Sequence, residues 1–227
     1  MTYGTLYLCA TPIGNLQDIT LRVLETLEAV DLVACEDTRK TLQLLNHFNI
    51  SKPVTSYYEH NKMTKGDVII QHLKDGKNVA LVSDAGMPGV SDPGYDLVQQ
   101  CLAEDILFTV LPGPVAAITA LVLSGLPTDR FCFEGFIPRH KKERQQYFEH
   151  LQNEERTMIF YESPYRLVKT LMQFAEYFGA ERQVSVCREI SKIHEESVRG
   201  TLAEVIEHFE ATEPRGEIVV ILSGKED

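Results

Sequence analysis

The sequence predicts an α/β protein with two domains, of which the first contains a largely parallel sheet. Short apolar runs alternate with helical patterns up to about residue 123, which is typical of strands joined by right-handed crossover helices. After the turn at residues 125–127 this alternation changes, and a second domain of mixed α/β character is expected. We therefore predict domains at residues 1–117 and 118–227.

Five apolar runs in the first domain predict strands at residues 5–10, 32–35, 53–57, 79–82 and 107–111. Apolar residues at helical spacing predict helices between and after them, at residues 19–30, from about Leu42 to Phe48, up to Leu73, at 95–103 and at 116–123. Asp18 or Thr20 is expected to cap the first helix. The carboxyl ends of all five strands should meet along one edge of the sheet, where open α/β sheets bind ligands.

The loop at residues 83–94 contains three glycines, two prolines and two aspartates, and it follows the buried strand at 79–82. Glycine lets the backbone approach a ligand and proline fixes its shape, so a ligand-binding loop is expected. Similar turns begin at Thr11 and Pro112. They lack the dinucleotide fingerprint and the Walker lysine, and a pocket of backbone groups with few cations suits a neutral or positively charged nucleoside better than a phosphate. The alternative for each turn is an ordinary connection without a ligand.

Polar residues also follow the second and third strands. Glu36 and Asp37 come directly after residues 32–35, where an acidic residue can hydrogen-bond a ribose, although Asp37 could equally serve only as a helix cap. Glu59, His60 and Asn61 offer a base, a titratable ring and an amide in sequence. The alternative for this triplet is a solvated polar loop.

The second domain is predicted to contain strands at residues 131–136, 157–161, 183–188 and 217–222, and helices at 165–178 and 202–209. Ser163 and Pro164 are explained as a helix start. Glu162 and Arg166 are not explained in this way, and neither are Arg188, Glu189 and Lys192; exposed ion pairs are the alternative to a functional role.

The densest basic run lies at residues 139–144, and Arg139, Lys141 and Lys142 are candidate phosphate contacts in an otherwise acidic chain. A solvated helix start is the alternative. The formal net charge of −11 argues against broad nonspecific binding to nucleic acid, but it allows a local basic face.

The composition is that of a globular protein, with 44% hydrophobic and 24% charged residues. No apolar run reaches the roughly 18 residues that a membrane helix needs, so we expect a cytoplasmic protein without a membrane partner. The five cysteines are scattered through apolar runs and are expected to be core residues. No metal-ligand spacing is visible, and no metal is expected.

Taken together, several stretches resemble the small-subunit ribosomal RNA methyltransferase I family within the tetrapyrrole methylase superfamily. They run in order along nearly the whole chain, and the ordered set is specific where a single motif would be weak. The matching segments are residues 11–16, 36–39, 59–61, 83–86 through 92–94, 112–114 through 116–121, 131 through 135–136, 161–163 and 188–189.

The resemblance implies a tetrapyrrole-methylase-like fold, a homodimer and S-adenosylmethionine bound in a cleft between the domains. It also implies methylation of the ribose 2′-oxygen of a decoding-centre cytidine in 16S ribosomal RNA, within the 30S subunit. By similarity, the cofactor-binding residues are Pro12, Ile13, Ser83, Asp84, Ala85, Gly86, Met87, Val115, Ala116, Ala117, Phe160, Tyr161, Glu217 and Ile218. The substrate side would include Glu36, Asp37, Arg39, Glu59, His60, Asn61, Glu162, Arg188, Glu189 and Lys192.

A ribose hydroxyl is a poor acid. Methyl transfer to its oxygen therefore needs the oxygen aligned with the methyl group and a residue that accepts the hydroxyl proton. Glu36, Asp37, Glu59, His60 and Glu189 are the candidates for that general base. Two departures from the family pattern stand out. Arg215 replaces the lysine that commonly precedes Gly-Glu, and many relatives continue past the last strand into a small helical extension.

Two rival functions share parts of this pattern. One is a tetrapyrrole methylase acting on a corrin or porphyrin precursor, but the first turn lacks the glycine-rich pattern of that branch. The other is a non-enzymatic module that recognises ribosomal RNA, and cofactor binding would separate it from an enzyme.

Overall fold

The computed structural model describes residues 2–225, and the chain divides into two compact units, Met1–Val115 and Ala116–Asp227. The boundary predicted between residues 117 and 118 falls inside the first turn of a helix that begins at Ala116. The units divide at the start of that helix, which keeps its hydrogen-bonded turns together.

The first unit contains a five-stranded parallel sheet in the order β3-β2-β4-β1-β5. All five predicted strands are present, and four helices connect them. A short 3-10 turn, Leu16–Asp18, precedes the first helix, which Thr20 caps by accepting a hydrogen bond from the Val23 amide. The elements are β1 (Leu6–Cys9), α1 (Leu21–Ala29), β2 (Leu32–Cys35), α2 (Thr38–His47), β3 (Val54–Ser56), α3 (Lys62–Lys74), β4 (Val79–Val82), α4 (Tyr95–Ala103) and β5 (Phe108–Leu111).

Hydrophobic cores cover both faces of this sheet. Successive side chains of a strand point to opposite faces, and β4 shows the consequence. Val79 and Leu81 pack in one buried cluster, whereas Ala80 and Val82 pack in the other. Burial on both faces explains why the strands appear in the sequence as continuous apolar runs rather than alternating ones.

The second unit contains a mixed sheet in the order β6-β7-β10-β8-β9, in which only β6 and β7 are parallel. The prediction of a mixed α/β second half is therefore confirmed. Phe148, Phe160 and Phe174 are fully buried at the centre of its core. The elements are α5 (Ala116–Ser124), β6 (Phe131–Phe136), α6 (Lys141–Leu151), β7 (Thr157–Glu162), α7 (Leu167–Phe178), β8 (Gln183–Arg188), β9 (Glu196–Thr201), α8 (Leu202–Ala211) and β10 (Ile218–Leu222).

Of these elements, β9 was not predicted, and the start of α6 was only the alternative interpretation of the basic run at residues 139–144. β9 is a half-exposed edge strand whose only large apolar residue is Val198, so it lacks a hydrophobic signal. α6 is strongly polar and buries only Phe148 and Leu151. Both elements depend on tertiary packing rather than on local pattern.

The cysteines occupy the interior as predicted. Cys9, Cys35, Cys101 and Cys187 are buried, Cys132 is half-buried, and none forms a disulfide. Burial raises the pKa of the Cys9 thiol to about 12, so this residue behaves as a small apolar side chain. Within residues 2–225, no helix is long and apolar enough to cross a membrane.

Candidate functional site

Three turns meet at the carboxyl edge of the parallel sheet. The Thr11 amide donates to the Gly86 carbonyl at 2.9 Å, and the Gly86 amide donates back to Thr11 at 3.0 Å. The Thr11 hydroxyl also donates to the Ser83 carbonyl at 3.2 Å, and both residues are buried. These bonds fasten the turn after β1 to the loop after β4, as the parallel topology predicts.

Gly86 lies at the centre of this junction. Its φ of +81° favours glycine, and a Cβ atom there would lie 3.3 Å from Ile13 Cγ2 and 3.5 Å from the Pro114 carbonyl oxygen. The turn after β5 is equally close-packed, since a Cβ on Gly113 would lie 2.7 Å from that of Ala10. Glycines at these positions allow the three backbone segments to approach one another.

The same edge carries a group of carboxylates, Glu36, Asp84 and Asp92. Asp84 is held in place by the Asp37 amide at 3.1 Å and by Lys40 Nζ at 2.7 Å. Glu36 is half-buried, and its Oε1 has no hydrogen-bond partner among the described residues. Its pKa is raised by burial and then by the charge of Asp84.

Asp92 shares this environment. Burial, with added repulsion from Glu36 and Asp84, raises the pKa of Asp92 to about 7. Asp92 lies in the loop at residues 83–94, which is predicted to bind a ligand, but it is not among the predicted site residues. Its proximity to Glu36 depends on how two distant turns fold together, which no local pattern encodes.

A cavity of about 300 Å³ opens beside one of these carboxylates, Asp84, in the first unit. It lies between the turn after β1, the helix α2 and the loop after β4. The lining residues are Thr11, Pro12, Leu16, Lys40, Thr41, Gln43, Leu44, His47, Ser83 and Asp84. Pro12, Ser83 and Asp84 were predicted as cofactor-binding residues, whereas Lys40 and His47 were not selected.

Asp37 has a structural task at the start of α2. Its carboxylate accepts the Arg39 amide at 2.9 Å and pairs with the Arg39 guanidinium at 2.7 Å. The hydrogen bonds from Arg39 lower the pKa of Asp37 to about 2. Asp37 therefore caps α2, as one of its two alternatives predicts, and Arg39 is exposed.

Glu59, His60 and Asn61 form the turn that leads into α3. Glu59 pairs with Lys62 at 2.8 Å, and Lys62 also pairs with Asp96. Asn61 Oδ1 accepts the Tyr58 amide at 2.8 Å, and His60 is exposed. These bonds make the triplet an ordered turn.

The remaining predicted cofactor residues, most of them in the second unit, differ in how far their side chains are buried. Phe160 and Ile218 are buried, and the Phe160 ring packs against Phe174 with centroids 4.9 Å apart, so these side chains belong to the core. Tyr161 is half-buried and lies edge-on to Phe133. Of the helix-start residues, Ala117 is buried, while Val115 and Ala116 are half-buried. Ala85 is exposed and Met87 half-buried in the first unit's loop.

Glu189, Lys192 and Glu217 form one ion-pair group at the end of β8. Lys192 Nζ lies 2.8 Å from Glu189 Oε1 and 2.8 Å from Glu217 Oε2. Hydrogen bonds from Lys192 and from the Glu217 amide lower the pKa of Glu189. Glu189 also has a φ of +51°, and the neighbouring Arg188 pairs with Glu196.

Glu162 is buried, with 4% of its surface exposed, and both of its carboxylate oxygens accept hydrogen bonds. Its carboxylate accepts the Ser163 amide at 2.8 Å and the Thr170 hydroxyl at 2.6 Å, and it lies 3.6 Å from Arg166. Of the predicted phosphate contacts, Arg139 lines a cavity together with Arg166, whereas Lys141 and Lys142 are exposed and do not line it. Glu162 therefore orients Arg166.

Residues 5–206 match the family of Tetrapyrrole (Corrin/Porphyrin) Methylases. A cobalt precorrin-4 methyltransferase has a similar structure, with a TM-score of 0.70 at 16% identity over 96% of this chain and 94% of that one. The uroporphyrin-III-C-methyltransferase of Thermus thermophilus gives 0.68 at 18% identity over 97% and 94%. The chain belongs to the tetrapyrrole methylase family, a class of methyltransferases that use S-adenosylmethionine.

More similar sequences narrow the assignment. A protein of Halalkalibacterium halodurans named Ribosomal RNA small subunit methyltransferase I is 51% identical over 97% of this chain and 76% of its own length. The protein of the same name from Thermotoga maritima is 49% identical over 98% of this chain and all of its own. Within the tetrapyrrole methylases, the chain belongs to the ribosomal RNA small subunit methyltransferase I family, as its motifs predicted.

The carboxyl edge of the first unit fits this methyl donor. The turns at Thr11 and Ser83 present backbone groups at Gly86, where a side chain would be strained by the φ of +81° and close to Ile13. The one lysine lining the adjacent cavity is neutralised by Asp84. Backbone and carboxylate groups without a free lysine suit a positively charged sulfonium nucleoside better than a phosphate. Among residues 2–225, no group of three or more His, Cys, Asp or Glu side chains is arranged to hold a metal ion.

Proposed function

We propose that the protein transfers a methyl group from S-adenosylmethionine to the ribose 2′-oxygen of a cytidine in the decoding centre of 16S ribosomal RNA. The observation that carries the proposal is the identity of about half over nearly the full chain to relatives named for small-subunit ribosomal RNA. The two tetrapyrrole methyltransferases share only the fold, at 16% and 18% identity. A substrate within the 30S subunit, a homodimer and a cytoplasmic location are parts of the same proposal.

The cofactor, when bound, supplies an electrophilic methyl group that needs no further activation. Pro12, Ile13 and the residues from Ser83 to Met87 are proposed to bind it in the first unit. Their backbone amides and carbonyls are held by the paired hydrogen bonds between Thr11 and Gly86. A fixed backbone aligns two reactants without an entropic cost at the moment of reaction.

Glu36 is the proposed general base. An acceptor of a hydroxyl proton must be ionisable, positioned at the site and free of a permanent cation partner. Glu36 Oε1 is buried without a hydrogen-bond partner among the described residues, and burial raises the pKa of this carboxylate. A raised pKa brings the proton affinity of Glu36 closer to what the reaction needs at neutral pH.

Three of the other four candidates are engaged in ion pairs, whereas the fourth, His60, is exposed. Asp37 is held by Arg39, and Glu189 by Lys192; each contact lowers the pKa of the carboxylate and weakens it as a base. Glu59 is tied to Lys62. Arg39, Asn61, Arg188 and Lys192 are proposed on the substrate side.

Acceptor choice tests the proposed substrate class. Purified protein is incubated with labelled S-adenosylmethionine and one of three acceptors: 30S particles lacking the modification, naked 16S RNA or a porphyrin precursor. The proposal expects label in RNA from at least one ribosomal acceptor and none in the porphyrin precursor. Calorimetry with S-adenosylmethionine must show binding; its absence together with RNA affinity would indicate a non-enzymatic RNA-binding module.

A further inference from the structure

We infer that a basic pocket in the second unit, between the start of α6 and the first two turns of α7, binds a phosphodiester group of the RNA substrate. The inference rests on the proposed function and names where the RNA backbone is held. The pocket has a volume of about 360 Å³. Its lining residues are Arg139, Arg144, Arg166, Lys169, Thr170 and Gln173.

Four cations converge on this pocket from two segments of the chain. Arg166, Lys169, Thr170 and Gln173 follow one another at helical spacing, so they share one face of α7. Arg139 and Arg144 arrive from the segment that enters α6. The formal net charge of the protein is −11, so acidic residues outnumber basic ones. Four cations placed close together repel one another, and this repulsion is unfavourable without a counter-anion.

Most of this charge is not neutralised within the protein. Across residues 2–225, Arg139, Arg144 and Lys169 form no salt bridge, and only Arg166 has an acidic partner, Glu162 at 3.6 Å. That distance exceeds a hydrogen bond, so the guanidinium of Arg166 keeps donors available. The pocket therefore retains a positive potential.

Two of the three arginines, Arg144 and Arg166, are held by hydrogen bonds to backbone carbonyls. Arg144 Nη1 donates to the Arg139 carbonyl at 3.0 Å, and Arg166 Nη2 donates to the Ile137 carbonyl at 3.4 Å. Glu162 is itself fixed by Thr170 at 2.6 Å. A guanidinium whose position is set in advance loses less entropy when it binds an anion.

Arg144 lines the pocket, although its Nε is buried and has no hydrogen-bond partner in the described part of the chain. The positive charge of its guanidinium still adds to the potential in the pocket.

The pocket differs from the run of basic residues that the sequence suggested. Arg139 belongs to it, but Lys141 and Lys142 do not line it, while Arg144, Arg166 and Lys169 do. Arg166 and Lys169 lie beyond the run and reach the pocket only through the packing of α7. Arginine is the residue that best recognises phosphate, because its planar fork donates two parallel hydrogen bonds.

The test removes the two exposed cations, Arg139 and Lys169, and leaves Arg166 in place as the partner of buried Glu162. The variant Arg139→Gln/Lys169→Gln is compared with the charge-matched control Lys52→Gln/Lys77→Gln. Lys52 and Lys77 precede β3 and β4, at the opposite edge of the first sheet from its ligand-binding turns. Binding of 16S RNA is measured between 50 and 200 mM salt, beside calorimetry with S-adenosylmethionine.

Each lost phosphate contact lowers the salt slope of log affinity by about 0.7 to 0.9. We expect the pocket variant to bind RNA about 10-fold more weakly, with a slope smaller by about 1 to 2 and cofactor affinity within about twofold of wild type. In methyl transfer its KM for RNA should rise while kcat stays within about twofold. RNA affinity and slope equal to those of the control variant would overturn the inference. The inference would also be overturned if the pocket variant lost binding of inorganic phosphate while its RNA affinity stayed unchanged, since the pocket would then bind a small anion.

These measurements distinguish failure of the proposed pocket from failure of the proposed reaction. If the wild-type protein methylates no ribosomal acceptor but the pocket variant loses RNA affinity, the pocket stands and the proposed reaction fails. If methylation occurs and the pocket variant binds RNA as the control does, the reaction stands and the pocket is rejected.

Discussion

Glu36 differs from Asp37 and Asp84 in forming no salt bridge among the described residues. Its neighbour Asp37 is paired with Arg39 at 2.7 Å, although the two acids are adjacent in the sequence. A carboxylate without such a partner keeps a higher proton affinity, and the pKa of Glu36 is raised by burial and by Asp84. The two acids therefore provide a matched comparison.

The variant Glu36→Gln should lower kcat for methyl transfer by about 100-fold or more, because general-base catalysis contributes about that much. Cofactor affinity should stay within about threefold, since the amide preserves the shape of the side chain. Asp37→Asn retains a good helix cap and should lose less than about 10-fold. Single-turnover kinetics with saturating RNA measure both effects. Wild-type kcat in Glu36→Gln would reject Glu36 as the base.

Asp92 predicts a pH effect on stability. Its pKa is about 7 in the folded protein against a reference of 3.8, so between these values the folded state binds more protons than the unfolded state. Stability consequently falls as pH rises through that window. Asp92→Asn removes the penalty and should stabilise the protein at pH 8 by about 1 kcal/mol after allowance for solvent screening, with no gain at pH 4. Thermal unfolding at both pH values measures the difference, and equal shifts would contradict it.

The turns at the sheet edge depend on glycine for their shape, and Gly86 allows a controlled test. Gly86 and Gly125 have φ values of +81° and +74°, but a Cβ atom on Gly125 would meet nothing within 4 Å. Alanine at either position should cost about 1 kcal/mol of folding free energy because of the backbone conformation. Only Gly86→Ala should also weaken S-adenosylmethionine binding, by about 10-fold or more in calorimetry. Equal cofactor affinity in both variants would exclude Gly86 from the site.

At the scale of elements, the sequence predicts the first unit well. Strands buried on both faces are continuous apolar runs, and turn residues delimit them, so every strand of the parallel sheet is identifiable. β9 and α6 are not, because one is a polar edge strand and the other presents mostly charged residues. Their conformation is set by β8, α7 and the core around Phe148 rather than by local pattern.

The side-chain partners of individual residues are harder to predict from the sequence than the helices and strands are. Glu36, Asp84 and Asp92 lie in two separate loops and come together only through the order of β2 and β4 in the sheet. The ion-pair group at Lys192 joins the end of β8 to the residue before β10. The motifs identified which turns carry polar residues, but which carboxylate remains unpaired is a property of the folded chain.

For the whole molecule, the two units differ in the charges that their candidate sites carry. The first unit offers carboxylates and backbone groups that suit a sulfonium cofactor and a ribose hydroxyl. The second unit concentrates cations at one pocket despite the formal net charge of −11. Such a charge distribution favours contacts with particular phosphate groups over nonspecific attraction to nucleic acid.

The position of the transferred methyl group tests the central claim most directly. Labelled S-adenosylmethionine and 30S particles lacking the modification are incubated with the protein, and the RNA is digested to nucleosides for mass spectrometry and mapped by nuclease protection. We predict 2′-O-methylcytidine at one site in the decoding centre, and its loss in Glu36→Gln. A methyl group on the cytosine base, or on a nucleotide outside the decoding centre, would contradict the proposed reaction.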